Sequence, residues 1–167
     1  FGLTAGTYTV QVYDFNNCSS TASFTIGQPT ELTADGYIQN LLCFGENNGS
    51  VYVVPVGGTA PYTYFWSNGA TTDTISDLIA GSYTVLISDV NFCSVSYTYD
   101  VTQPDLLTIP ANVINISCAN AINGSIDLLV TGGSGPYSYL WEDFSTIEDR
   151  SGLDVGVYTV SVTDLNS

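Results

Sequence analysis

The sequence predicts an all-β chain of tandem β-sandwich repeats, each 75 residues long. Three observations predict it. Landmarks return along the chain in one fixed register. Val, Ile, Thr and Tyr are abundant, and these types suit a pleated, half-buried surface. Alternation of period two recurs, whereas no segment carries a convincing helical period.

The register comes first. Leu3, Gly6 and Tyr8-Thr9-Val10 return as Leu78, Gly81 and Tyr83-Thr84-Val85, then as Leu153, Gly156 and Tyr158-Thr159-Val160. Gln28-Pro29 returns at Gln103-Pro104, Cys43 at Cys118, and Asn48-Gly49-Ser50 at Asn123-Gly124-Ser125. Gly57-Gly58 returns at Gly132-Gly133, Pro61-Tyr62 at Pro136-Tyr137, and Trp66 at Trp141. Every offset is 75, without insertion. The chain therefore divides into residues 1–29, the C-terminal part of one repeat; residues 30–104, a complete repeat; and residues 105–167, an incomplete following repeat. The joints at Gln28-Pro29 and Gln103-Pro104 are short, and proline fixes φ, so they are expected to be stiff.

Within the complete repeat, Glu31–Asn40 supplies a first strand and Gly49–Pro55 a second, rich in Val and Tyr. Gly57-Gly58-Thr59-Ala60 is a turn. Pro61–Ser67 alternates into Trp66. Asn68-Gly69 is the strongest two-residue hairpin signal, because both positions tolerate φ > 0. Asp73–Ser76 is a short strand. In Gly81–Ser88, Tyr83, Val85 and Ile87 share one face. In Ser94–Val101, Tyr97, Tyr99 and Val101 do the same. Six short strands around a central Trp make a β-sandwich.

Composition removes whole function classes. Arg150 is the only basic residue against 16 acidic ones, a formal charge of −15. Nucleic-acid binding needs Lys and Arg to displace counterions from phosphate. Anionic membrane surfaces are not expected as partners, on the same ground. There is no His, so no Ser-His-Asp or Cys-His arrangement is available. Glu142-Asp143 and Glu148-Asp149 read as solvated charge rather than a carboxylate pair for glycoside hydrolysis. No catalytic residue is expected.

The four cysteines admit two pairings. The expected one is Cys43–Cys93, on either side of Trp66, with Cys18 and Cys118 paired outside this stretch of chain. A loop of about 50 residues closed in this way contributes roughly 4 kcal/mol in the chain-entropy model. The alternative joins Cys18 to Cys43 and Cys93 to Cys118 across the joints. In an end-to-end rod those loops sit at remote ends of neighbouring domains, while a disulfide needs Cα atoms within about 7 Å. Buried free thiols are the third reading. Disulfides imply an oxidising, extracellular location.

Other motifs have a bland and a sharp reading. Asp14-x-Asn16, Asp89-x-Asn91 and Asp164-x-Asn166 follow the Tyr-x-Val strand. They read as Asx turns; the alternative makes Asp14, Asp89 and Asp164 calcium ligands, although the Gly and distal Glu of an EF-hand loop are missing. No cofactor other than calcium is suggested. The Gly-rich loops lack the Lys and following helix of a phosphate site. Trp66 and Trp141 read as core rather than sugar platforms. Thr74 in Asp73-Thr74-Ile75 is a candidate O-glycosylation site. Exposed Tyr and Asn could contact polysaccharide.

These residues resemble the SprB repeat of Bacteroidota surface proteins. The resemblance rests on Cys43-Phe44-Gly45, Asn48-Gly49-Ser50, Gly57-Gly58, Pro61-Tyr62-x-Tyr64-x-Trp66-Ser67-Asn68-Gly69, Leu78, Gly81, Tyr83, Val85, Asp89-x-Asn91-x-Cys93 and Thr102-Gln103-Pro104. The third piece departs from it at Glu142-Asp143-Phe144 and Ala119-Asn120. The resemblance implies immunoglobulin-like repeats in very long surface proteins, exported by the type 9 secretion system and serving adhesion and gliding.

The expectation is a structural or adhesive repeat module of a bacterial cell-surface filament, passive and stiff, and not an enzyme. Its partners are neighbouring repeats, with surface polysaccharide or other copies of the filament as further candidates. Anchoring is expected from parts of the chain not present. A spacer in a secreted multidomain enzyme and a glycan-binding repeat are the alternatives.

Overall fold

The computed structural model describes residues 2–166, and these contain thirteen strands and no helix. Gly6–Tyr13 (β1) and Ser19–Ile26 (β2) form an antiparallel hairpin, with Gly6 opposite Ile26. The complete repeat holds Thr33–Gln39 (β3), Gly49–Val56 (β4), Thr63–Trp66 (β5), Thr74–Leu78 (β6), Gly81–Ser88 (β7) and Ser94–Val101 (β8). They form two antiparallel sheets, ordered β3-β4-β6 and β5-β7-β8. That is the immunoglobulin-type split of strands with one strand fewer, and it carries the Trp at the corresponding place, on the third strand.

The last piece repeats the pattern with Ala111–Ile114 (β9), Gly124–Leu128 (β10), Ser138–Trp141 (β11), Arg150–Leu153 (β12) and Val160–Thr163 (β13). Its sheets run β9-β10-β12 and β11-β13. Among the described residues no strand pairs across residues 29 and 30, or across 104 and 105.

The core of the complete repeat forms where the two inner faces meet. Val51, Trp66, Val85 and Ile87 are fully buried, with Val53, Ile75, Leu78, Leu41 and Val101 around them. Period-two alternation puts them there: Val85 and Ile87 point inward while Leu86 stays exposed. Each such side chain contributes about 2 kcal/mol of burial. The Trp66 indole N–H donates to the Thr72 carbonyl at 2.8 Å, so the ring is buried without an unpaired donor. Tyr99 leans on Trp66 with ring centroids 6.3 Å apart. Gly36 lies beneath Tyr99, where a Cβ would come within 2.1 Å of the ring.

Two expectations need correction. Asn68-Gly69 is a tight turn, with Trp66 N–H donating to Ala70 O at 2.9 Å and Gly69 at φ 85. It does not close a hairpin, because β5 pairs with β7 and β6 pairs with β4. The turn carries the chain from one sheet to the other. Trp66 and Ile75 then meet face to face in a shared core rather than side by side on one face.

The second correction concerns Cys43–Cys93. Strand β3 runs away from the Pro29 joint, so Cys43 lies at the trailing end of the repeat. Cys93 lies just before β8, beside Gln28 and Pro29 at the leading end. The length of an eight-residue strand, about 26 Å, separates these ends. A disulfide spans less than about 7 Å between Cα atoms. All four cysteines are free thiols, and the pair is not made within the repeat.

Candidate functional site at the repeat junction

The leading end of the repeat is organised by one carboxylate. Asp89 is 4% exposed although charged. Its Oδ1 accepts the backbone N–H groups of Asn91 and Cys93, both at 2.9 Å. Its Oδ2 accepts Thr59 N–H at 3.0 Å. Three N–H donors on one carboxylate compensate its burial, and they tie the β7–β8 loop to the β4–β5 loop. Gly57 and Gly58, at φ 77 and 62, let that second loop approach. A Cβ on Gly57 would lie 2.1 Å from the Glu31 carbonyl oxygen. Tyr62 Oη closes the arrangement by donating to Gly57 O at 2.7 Å.

The same device stands at the other positions of the register. Asp14 Oδ1 accepts Asn16 and Cys18 N–H at 2.8 Å each. Asp164 Oδ1 accepts Asn166 N–H at 3.0 Å, and its Oδ2 accepts Ser134 N–H at 2.8 Å. All three aspartates therefore sit in Asx turns. No group of three or more His, Cys, Asp or Glu side chains is placed to hold a metal ion among the described residues.

The trailing end is built around the chain leaving β8. Leu41 N–H donates to Thr102 O and Thr102 N–H to Asn40 Oδ1, both at 2.9 Å. Gly45 N–H donates to Gln103 Oε1 at 3.0 Å. Residues 40–45 thus form a loop held against the Gln103-Pro104 joint. The next repeat touches this loop directly: Asn166 Nδ2 donates to Leu42 O at 2.9 Å. Cys43 is half-buried there. Burial, with Glu46 and Asp164 nearby, raises its thiol pKa above the usual value.

The outward surface is less regular. Tyr37 and Tyr52 stack with centroids 6.1 Å apart and are both exposed. Their register partners are Asn112 and Asp127, joined by a 3.3 Å hydrogen bond. Trp66 and Trp141 are 0% and 2% exposed, so neither offers a sugar platform. Arg150 lies 5.3 Å over the Trp141 ring and forks onto Asp143 at 3.0 and 2.6 Å. Thr74 is exposed at the start of edge strand β6, its hydroxyl donating to Asp73 Oδ1 at 3.0 Å. Among the described residues no helix is long and apolar enough to cross a membrane.

Sequence reasoning found the Asx turns but missed that the second oxygen of Asp89 and Asp164 reaches the glycine-rich loop. The shared 75-residue register of Asp89 with Gly58 was the available signal. It also missed the Asn166 contact across the joint, which no local pattern marks.

The family model described as the SprB repeat matches residues 36–71 and again residues 111–146. The matched segments begin at the same place in each repeat and contain Trp66 and Trp141. The SprB repeat is a repeat family of cell-surface proteins and not an enzyme family. No curated protein matches the chain.

Proposed function

This chain carries two SprB repeats, and from that premise we propose that it is a length of stiff extracellular stalk in a bacterial adhesive or gliding protein. The observation that carries this reading is the junction. The trailing loop of one repeat is hydrogen-bonded to the next through Asn166 and Leu42, beside a proline joint. A flexible tether has no use for such a contact, and it works against bending. The acidic surface, at −15, keeps neighbouring stalks apart and hydrated. Export by the type 9 route and anchoring through other parts of the protein belong to the same proposal. So does a passive role in which each repeat carries length rather than chemistry.

Labelling of intact producing cells with an antibody against residues 30–104 tests it. Surface label that disappears on mild protease shaving is expected. Label seen only after lysis would overturn the proposal. A glycan-binding reading has one observation in its favour, the exposed Tyr37–Tyr52 stack. Tyr37→Ala with Tyr52→Ala should abolish retention on surface polysaccharide if that reading holds.

A further inference from the structure

An open cavity lies at the leading end of the complete repeat. Thr30, Glu31, Leu32, Gly58 and Asp89 line it together with Cys93. In the next repeat, 75 residues on, Asp105, Leu106, Leu107, Gly133 and Asp164 line its counterpart, position for position. There the opposite wall is Cys43 and Phe44, from the trailing loop of the repeat before. The same seat thus occurs twice, and at residues 105–107 the trailing loop of the repeat before closes it.

We infer that a disulfide staples successive repeats, joining the Cys43 position of one to the Cys93 position of the next. The geometry is local. Cys93 is two residues beyond Asn91, with its N–H on the same Asp89 oxygen. Asn166, the counterpart of Asn91, already holds Leu42 O at 2.9 Å. One residue past Leu42 is Cys43, and two past Asn166 is the register position of the partner thiol. Cys93 lines one seat beside Gly58 and Asp89, and Cys43 lines its counterpart beside Gly133 and Asp164, so the register sets the two thiols on the same seat. On this register none of the four cysteines pairs with another, in keeping with four free thiols at separate places. Formation of the bond removes one proton from each thiol. The two electrons go to an external disulfide, which is cleaved to two thiols as the new S–S bond forms. The inference rests on the stalk reading only for its oxidising location, and its test in solution is independent of that location.

The test uses the whole chain continued by a copy of its own residues 93–104, which places a cysteine in register after Ser167. After equilibration at pH 8.5 in a glutathione buffer with the reduced form in excess, which returns unpartnered cysteines from their mixed disulfides, and an acid quench, free thiols are counted in denaturant and bonded peptides are mapped. A single bond between Cys43 and the added cysteine is expected, leaving Cys18, Cys93 and Cys118 free. Cys43→Ser should leave the added cysteine as a free thiol, whereas Cys18→Ser with Cys118→Ser should leave the bond intact. The original 167-residue chain, treated alike, should keep all four thiols. A Cys43–Cys93 bond in either chain, or no bond to the added cysteine, would overturn the inference.

Discussion

Phe144 occupies the turn position that Gly69 holds in the complete repeat, and does so at φ 65 with its ring 83% exposed. A left-handed backbone costs a side-chain-bearing residue about 1–2 kcal/mol, and here no burial offsets it. Phe144→Gly should therefore stabilise the chain by about 1 kcal/mol in urea melting. The opposite change is informative at two glycines. At Gly69 a Cβ meets nothing within 4 Å, so Gly69→Ala should cost only the conformational term, about 1 kcal/mol. At Gly57 the Cβ also strikes the Glu31 carbonyl, so Gly57→Ala should cost about 3 kcal/mol. Tyr139 offers a titration. Burial first, then a hydrogen bond with Glu148 and the nearby carboxylates, push its hydroxyl up to about 12. The unfolded phenol ionises near 10. Its contribution is thus fully present below pH 10 and is lost as pH rises through 12. Ultraviolet titration should show Tyr139 among the last tyrosines to ionise, and Tyr139→Phe should flatten stability loss across that window.

At the scale of elements, the β7–β8 loop depends on Asp89. Asp89→Ala removes the acceptor for three backbone N–H groups and should cost about 3 kcal/mol. Asp89→Asn should cost less, because one oxygen survives, but it sets an amide donor where one oxygen accepted. Thermal melts of the two variants check the order. Much of this level was legible in sequence. The alternation in Gly81–Ser88 correctly placed Val85 and Ile87 inside, because a strand's period is a local property. Sheet membership was not legible. Asn68-Gly69 makes the same local turn whether it closes a hairpin or passes the chain between sheets, and only the shared burial of Trp66 and Ile75 decides. The cysteines show a different failure. Strand direction was already implied by element order, since β3 leads away from Pro29 and β8 leads toward Pro104. The directional argument that separates Cys18 from Cys43 applies equally to Cys43 and Cys93.

At the scale of the molecule, the positions that return every 75 residues are those that build ends and interior: Asp89 and Asp164, Gly57 and Gly132, Trp66 and Trp141. The outward positions change, as Tyr37 and Tyr52 against Asn112 and Asp127 show. A serial architecture explains this division, because each repeat must fit its neighbours while its flanks face solvent. The central claim is that the repeats stand end to end, with direct contact across the Gln103-Pro104 joint. Small-angle scattering of the 167-residue chain tests it most directly. Three pieces in line, each about one long strand in length, give a radius of gyration of about 25 Å and a skewed distance distribution. A radius of about 15 Å, the value for a single globule of this size, would contradict it.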